Sequence, residues 1–552
     1  MSTKNFYRFV TDDKILEILI KERSKWLGDA KQVSREKSPA YYQLNQMLPS
    51  RRTWVTPGQE ERSKLTNERT RKLRNAQIAL RTTIKRDREA LVRPAYFQNL
   101  AAFVADIKAS IKSGDITLEA PVTTALFKKA EEHDDKMVAV FRPISVYNDL
   151  KTKVLLKLAS EFLSGLLDPL FHEEILSYRK RRPYHGDNMK VTKAADAIPN
   201  ILQFRQEHHE VWVAECDIKK FYDIVNHNEV RKALDRLLDD GDIDRAKAAA
   251  ALTILEKYID SYNFKESVLE KSQEAGFWEK YEKHLPNEVK NSRKPVECVF
   301  GWVKEEELLD DYHQIGIPQG GVLSTLICNI LMNDVDRAVI GNPDPDRLFN
   351  RFGDDIILMH TSEEGCRRCF DAYKESLTAH KLIYHDEHSV DEYKDGAHTL
   401  PGYWDEKTKA PFLWGPGEGN AADWIGFVGY ELRCNGEIRL RKSTLNKQFA
   451  KICFRYNQLK HMDEPIKTSI PTVMQAIDRI GWSILRVGQL DFNPASRKQM
   501  HRLDRYRHNK INKARKHLES LPVIESDKKW KDPEKQPSSY ASVLAAKKDK
   551  DK

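Results

Sequence analysis

The chain has 552 residues, 92 Lys and Arg against 83 Asp and Glu, and a formal charge of +9. That is length enough for two or three domains with a substantial core. No apolar run approaches the roughly 18 residues of a membrane span, and Met1 to Arg8 is polar without a signal-peptide core, so a soluble cytoplasmic protein that meets no membrane is expected. The net charge agrees with a polyanionic partner without establishing one.

Residues 1–95 read as a basic helical extension. Thr11-Asp12-Asp13 is suited to cap a helix carrying Ile15, Leu16, Leu19 and Ile20, and a long basic helix is expected after Pro57. Arg51, Arg52, Arg62, Lys64, Arg69, Arg71, Lys72, Arg74, Arg81, Lys85, Arg86 and Arg88 follow with few acids between them. So dense a block reads as a phosphate track rather than a solvated face. Gripping a structured RNA, supporting an oligomer and bracing the next domain all stay open as its use.

Within residues 96–230, Phe141-Arg142-Pro143-Ile144-Ser145 precedes a helical stretch to Asp168-Pro169-Leu170-Phe171, and then Ser177-Tyr178-Arg179-Lys180-Arg181-Arg182. Val211 to Ile218 is a β-branched and aromatic run that carries Asp217 at its end. Residues 231–312 form a long spacer. Arg231 to Tyr262 is helix-forming, while Phe277-Trp278-Glu279-Lys280-Tyr281 and Cys298-Val299-Phe300-Gly301-Trp302 suggest rings that pack in a core or stack on bases.

Residues 313–440 hold the remaining motifs. Ile315-Gly316-Ile317-Pro318-Gln319-Gly320-Gly321 is a turn before a helix through Leu326, Ile330, Leu331 and Val335, and its glycines allow a flat partner close to the backbone. In Arg351-Phe352-Gly353-Asp354-Asp355-Ile356, two carboxylates lie between an aromatic residue and a strand-like run. Gly-Asp-Asp also makes an ordinary hairpin turn. If the strands bearing Asp217 and Asp354/Asp355 lie side by side, however, three carboxylates repel one another unless cations bridge them. Two Mg²⁺ roughly 3.5–4 Å apart would do so. Cys366-Arg367-Arg368-Cys369 has no companion pair, and with seven irregularly spaced Cys it reads as two helix side chains in a reduced protein rather than a zinc site.

Residues 441–520 are helical, with apolar positions at Ile452, Ile466, Val473, Ile477, Ile480, Trp482, Ile484 and Leu485. A second basic block runs from Arg497 and Lys498 through Arg502, Arg505, Arg507, Lys510, Lys513, Arg515 and Lys516. Residues 521–552 are rich in Lys, Asp, Pro and Ser, and disorder is expected there.

Taken in order, Asp217, Gln319-Gly320 and Phe352-Gly353-Asp354-Asp355 resemble motifs A, B and C of the reverse transcriptase palm. The Phe141 to Ser145 and Ser177 to Arg182 segments resemble the fingers of group II intron and bacterial enzymes. Asp423 to Tyr430 with Gly436 to Arg441 resembles a primer-grip hairpin, so the likeness covers roughly residues 135–445. It implies an α+β right-hand polymerase fold with fingers, an antiparallel palm sheet, a helical thumb and a helical N-terminal extension. It also implies that Asp217 and Asp354 ligate two Mg²⁺, or Mn²⁺ in substitution, with Asp355 in support and the Ile218 carbonyl as a further ligand.

By the same resemblance Arg142 approaches the triphosphate of a dNTP, Gln319 and Gly320 line the nucleotide site, and the Tyr222 ring excludes a 2′-hydroxyl. Arg179, Arg181 and Arg182 would meet nucleic acid, joined by Arg71, Lys72, Arg74, Arg505 and Lys513 from the basic blocks. The segment Leu377 to Ser389, with Lys381, His385 and His388, stands where motif D belongs. Gly353 departs from the Ala, Val or Met common at that place and matches the habit of viral RNA polymerases.

The implied function is RNA-directed DNA synthesis from an RNA template, most like the bacterial antiviral defence enzymes that use a dedicated noncoding RNA. A homo-oligomer or an accessory protein stays open as a partner, and Tyr540 as a protein primer. Group II intron maturase-like or retron-like enzymes, an RNA-dependent RNA polymerase and a silent nucleic-acid scaffold are the alternatives.

Overall fold

The computed structural model describes residues 5–25, 39–58, 68–133, 135–181, 190–192, 196–301, 311–341, 343–393, 400, 402–417, 419–460, 477, 480 and 494–519. Arg182, Tyr540, Arg62, Lys64, Trp302, Ile466, Val473, Trp482, Ile484, Leu485 and residues 521–552 lie outside them. The chain divides into two compact units. Met1–Val191, Ile218–Gly341 and Ala372–Tyr384 form the first, and Thr192–Asp217, Asn342–Asp371 and His385–Lys552 the second. The division falls between Asp217 and Ile218.

The strands in chain order are β1 (Val122–Glu132), β2 (Met137–Val146), β3 (Lys180–Arg181), β4 (Lys190–Val191), β5 (Trp212–Cys216), β6 (Val296–Phe300) and β7 (Arg347–Phe352). They continue with β8 (Asp355–His360), β9 (Glu387–His388), β10 (Thr408–Trp414), β11 (Ala421–Ala422), β12 (Trp424–Phe427), β13 (Tyr430–Arg433) and β14 (Ile438–Leu440). Antiparallel pairs dominate, so the chain adopts the expected α+β class. No helix among the described residues is long and apolar enough to cross a membrane.

In the first unit, the helix Asp12–Lys25 starts where Thr11 Oγ1 accepts from Lys14 N at 3.3 Å, with Asp12 and Asp13 at the positive end of the helix dipole. Its buried Ile15, Ile18 and Leu19 pack toward the basic helix Glu68–Glu89, which buries Ala76, Ala79, Leu80 and Ile84 in return. Arg81 closes that contact with a two-pronged bond to Glu17 at 2.5 and 2.6 Å. The helix Leu150–Leu167, capped by Asp149 on Thr152 N at 2.6 Å, is apolar on most sides and forms a central core element.

Strands β1 and β2 form an antiparallel hairpin with a bulge between Phe127 and Lys129, and β6 pairs parallel to the first half of β2. The rings of the long spacer belong to this core: Trp278 lies 5.3 Å from Phe141 and 4.9 Å from Phe300, and Phe277 is buried between its neighbours. Packing, not base stacking, is what these side chains do.

In the second unit the main sheet runs β11-β10-β5-β8-β7, with β9 beside β10. A smaller antiparallel sheet, β12-β13-β14, follows. The helices Lys442–Lys460 and Pro494–Glu519 pack together. Gln499 ties the second of them to the small sheet, accepting from Leu440 N at 3.0 Å and donating to Leu440 O at 3.1 Å. Cys366 and Cys369 are buried on the helix Glu363–Ala379, as their spacing suggested.

Candidate active site

The apolar run ending at Asp217 forms β5 because β-branched and aromatic side chains suit a buried pleated strand. Its antiparallel partner is β8, in a register that sets Cys216 opposite Ile356. Asp217 follows Cys216 and Asp355 precedes Ile356, so both acids fall at the same end of the strand pair.

Strands β7 and β8 are joined through Gly353-Asp354, with Phe352 paired to Asp355 across the turn. Gly353 has φ of 73°, at the first position of a two-residue loop, where hairpins whose twist suits the flanking strands favour Gly. Arg351, fully buried, donates to Gly353 O at 2.9 Å and clamps the turn. The hairpin reading and the acid-site reading of this motif are therefore compatible.

A cavity of about 330 Å³ opens here, lined by Asp217, Phe352, Asp355, Lys407, Gly426 and Arg441 among others. Lys407 Nζ donates to Asp217 Oδ2 at 2.7 Å, and His385 Nε2 stands 3.7 Å from the same oxygen. Asp355 reaches solvent. Even so, the protein atoms crowding its carboxyl, then the charges of Asp354 and Asp217, push its pKa up to about 7 against the pull of Lys407 and Arg441.

Burial is the larger part of that upward shift, and the two neighbouring carboxylates add to it. Among the described residues no group of three His, Cys, Asp or Glu side chains is closed into a metal-binding set. By donor type and charge, however, three carboxylates fit a hard divalent cation, with Lys407 holding Asp217 in the meantime.

Several of these residues escaped the sequence reading. Glu215 pairs in register with Lys409, a buried ion pair at 2.8 Å, and Lys409 also donates to Glu406 O at 3.1 Å. One step along the period of two, Asp217 meets Lys407. The alternations Glu215-Cys216-Asp217 and Lys407-Thr408-Lys409 are the signal that could have found this ladder of opposite charges. Arg441 was placed in the hairpin but not at the acids. It lies over Gly426, where an added Cβ would come within 2.0 Å of its guanidinium, so Gly426 is the residue that lets a cation reach the cavity.

The first unit brings together the other expected residues. Arg142 is exposed on β2, opposite Leu126. Ser145 N, also on β2, donates to Gln319 O at 3.0 Å, and Gln319 Nε2 donates to Asp223 Oδ1 at 2.8 Å. Gly320 is exposed with φ of 87°, a conformation glycine adopts without strain. Gly321 is needed for space, since an added Cβ would lie 1.7 Å from the Tyr258 hydroxyl. Phe221 is core, whereas Tyr222, perpendicular to it at 5.5 Å, is half-buried. Ile218, next to Asp217 in the chain, bridges Tyr384 within this unit.

Arg179 corrects the expectation of a nucleic-acid contact. It is 5% exposed, bonded to Asp168 Oδ1 at 3.1 Å, to Asp168 O at 2.6 Å and to His172 O, so its charge braces the turn after the helix Leu150–Leu167. Arg181 lies on β3, and Arg71 and Lys72 on the helix Glu68–Glu89, with their side chains outside the described set. Arg74, Arg505 and Lys513 are exposed on their helices, while Arg507 is buried against Asp504. Of the motif D candidates, Lys381 pairs with Asp311 at 2.8 Å and His388 with Glu392 at 3.1 Å, leaving His385 as the one beside Asp217.

Residues 286–409 match the family model described as "Reverse transcriptase (RNA-dependent DNA polymerase)". The matched span is less than a quarter of the chain. It contains Gln319, Gly320, Asp354, Asp355 and Lys407, while Asp217 and Arg142 lie upstream of it. The match supports a nucleotidyltransferase polymerase. Comparison with curated proteins finds no match.

Among solved structures, Candida albicans telomerase in complex with a TWJ fragment of telomeric RNA is 13% identical, over 83% of this chain and 71% of that one, with a TM-score of 0.29. Apo telomerase from Candida tropicalis is 12% identical over 91% and 80%, at 0.33. The RNA-dependent RNA polymerase of a human picobirnavirus is 10% identical over 72% and 57%, at 0.37. Scores this low carry no weight for fold or activity.

Proposed function

We propose that this protein is an RNA-directed DNA polymerase of right-hand architecture, which joins dNTPs to a primer on an RNA template. The observation that carries the reading is the antiparallel register of β5 with β8, which sets Asp217 against Asp355 and puts Asp354 in the adjoining turn. The reverse transcriptase match over residues 286–409 supports it.

Asp217, Asp354 and Asp355, with the Ile218 carbonyl, would hold two Mg²⁺, with Mn²⁺ as a substitute. These ions supply activation of the primer hydroxyl and neutralisation of the leaving pyrophosphate. Lys407 and Arg441 are the cations of the cavity, and they draw the Asp355 pKa down against the larger upward push of burial, Asp354 and Asp217. Arg142 would take the triphosphate, Tyr222 would crowd a 2′-hydroxyl, and Gln319-Gly320 would line the nucleotide. Fingers within 96–230, palm within 313–440 and a helical thumb within 441–520 belong to the same proposal.

The exposed Arg74, Arg505 and Lys513 suit phosphate tracks whose occupancy falls with salt. A dedicated noncoding RNA and a role in bacterial antiviral defence extend this by analogy from the basic extension and the long spacer.

RNA synthesis is the second reading, favoured by Gly353. The φ of 73° gives that glycine a conformational reason independent of the product, which leaves Tyr222 as the deciding residue. Incorporation of dNTPs against NTPs on a primed RNA template tests the choice. Preference for dNTPs that relaxes in Tyr222→Ala is expected, whereas incorporation of NTPs alone by the unaltered protein would sink DNA synthesis. Sequencing the nucleic acid that co-purifies from the native host tests the template: one short RNA recovered each time supports a dedicated partner, and random cellular RNA contradicts it.

A further inference from the structure

Arg23, two positions from the end of the helix Asp12–Lys25, is 5% exposed, and its Nε is buried without a hydrogen-bond partner. Two rings hold it instead. The guanidinium carbon stands 5.5 Å from the centre of the Tyr41 ring and 5.6 Å from that of Trp54. The Trp54 ring is fastened in place, since its Nε1 donates to Pro49 O at 2.9 Å and the adjoining Val55 N donates to Thr83 Oγ1 at 2.8 Å. All of these residues belong to the first unit.

Acids on the neighbouring helices are engaged elsewhere: Glu17 with Arg81, Glu22 with Lys25 and Asp87 with Arg86. No carboxylate among the described residues pairs with Arg23. Burial, opposed by Tyr41 and joined by the charge of Arg51, draws its pKa below the ordinary guanidinium value. Contact with two rings offsets only part of what an unpaired buried charge costs. The charge lacks an anion, and the rings hold its flat fork ready for one that accepts two parallel N–H donors.

The surroundings select which anion. Arg51, near enough for its charge to act on Arg23, and Arg52 are exposed on the short turn Arg51–Thr53, which favours a ligand with more than one negative charge. A phosphate monoester carries about −1.5 to −2 at neutral pH. Tyr42 is 55% exposed and lies edge-on to Tyr41 with ring centres 6.3 Å apart, a ring suited to stack on a base. So deeply set a guanidinium suits the end of a strand better than its continuous backbone.

We propose that Arg23, with Arg51 and Tyr42 beside it, forms a site for the terminal phosphate monoester of a nucleic-acid strand, Arg23 taking the phosphate and Tyr42 the adjoining base. Such a site tethers a strand end whether or not the acids of the second unit catalyse.

Equilibrium binding to the full chain, read by fluorescence anisotropy, tests this with one short RNA carrying a 5′-phosphate, a 3′-phosphate or hydroxyls at both ends. The unaltered protein should bind one of the phosphorylated strands roughly tenfold more tightly than the hydroxyl strand. Arg23→Met should lose that preference yet melt no lower than the unaltered protein, because it removes an unmatched buried charge. Arg23→Lys keeps the charge without the fork and should lose most of the preference. Arg51→Ala, at an exposed position, should reduce it by roughly threefold.

Equal affinity for the three strands in the unaltered protein would overturn the proposal, as would a preference kept in Arg23→Met. If Arg23→Met does not fold, Arg51→Ala decides, and an undiminished preference there overturns the site. A phosphoserine peptide that binds where the phosphorylated RNA does not, and is lost in Arg23→Met, would assign the site to a protein partner and overturn it as well.

Discussion

Two carboxylates at the strand end after β5 and in the turn that follows are stabilised in opposite ways. Asp217, in the second unit, is compensated by a cation, Lys407, whose side chain remains 58% exposed. Asp223, six positions on and in the first unit, is buried and bonded to a neutral amide. A carboxylate matched by a movable cation is one that another cation can claim. A carboxylate matched by an amide in a dry site does not exchange its partner, and it transmits orientation instead. The first arrangement suits ion binding and the second suits positioning, though both acids lie in one short segment.

The sharpest way to break that comparison is at the rung next to Asp217. Glu215 and Lys409 form the buried version of the same cross-strand pair, at 9% and 2% side-chain exposure. Lys409→Met alone should cost about 3–5 kcal/mol by leaving Glu215 buried and unmatched. Replacing both with apolar residues of similar size should recover most of it. Denaturant unfolding of the three variants measures this, and equal losses for single and double replacements would contradict a compensated buried pair.

Asp223 comes next. Its folded pKa of about 6 stands above the ordinary value of 3.8, so the folded state binds its proton more tightly than the unfolded one. The stability it contributes is fully present below pH 3.8 and is lost as the pH rises through 6, about 3 kcal/mol in all. Asp223→Asn should flatten that part of the stability profile between pH 4 and 7. A slope identical in the variant would show that other groups produce it.

Lys407→Met should barely move stability, within about 1 kcal/mol for so exposed a pair, yet tighten Mn²⁺ binding by roughly threefold or more at low salt. Electron paramagnetic resonance of free Mn²⁺ reads this without any turnover. Unchanged binding would mean that Lys407 does not share its place with a cation.

The smallest effects concern the basic blocks. Arg505→Ala and Lys513→Ala should each weaken RNA binding and lower the salt slope by about one unit per lost phosphate contact. Arg179→Ala should instead lower the melting temperature and leave the slope alone.

The parts of the fold written in local pattern were legible. The β-branched run before Asp217 gave a strand, Thr11-Asp12-Asp13 gave a helix start, and Gly353-Asp354 gave a hairpin turn, because each depends on neighbours within a few positions. The charge ladder was not legible in the same way. Lys407 and Lys409 lie far along the chain from Asp217 and Glu215, and only the register of β10 with β5 brings them together.

Arg179 misled for a related reason. A run of basic residues says nothing about which one finds an acid, and Asp168 takes this one into the interior. The spacer rings were ambiguous because an aromatic side chain suits a core and a nucleobase equally, and Phe141 and Phe300 decided the matter.

The account stands or falls on whether Asp217, Asp354 and Asp355 act together on divalent cations. Titrating Mn²⁺ into the full chain with primed RNA template and dNTP, for the unaltered protein, Asp217→Asn and Asp354→Asn, measures this directly by resonance of the free ion. Two ions bound in the unaltered protein, with at least one lost in each variant, is the predicted result. Equal binding in all three would contradict it.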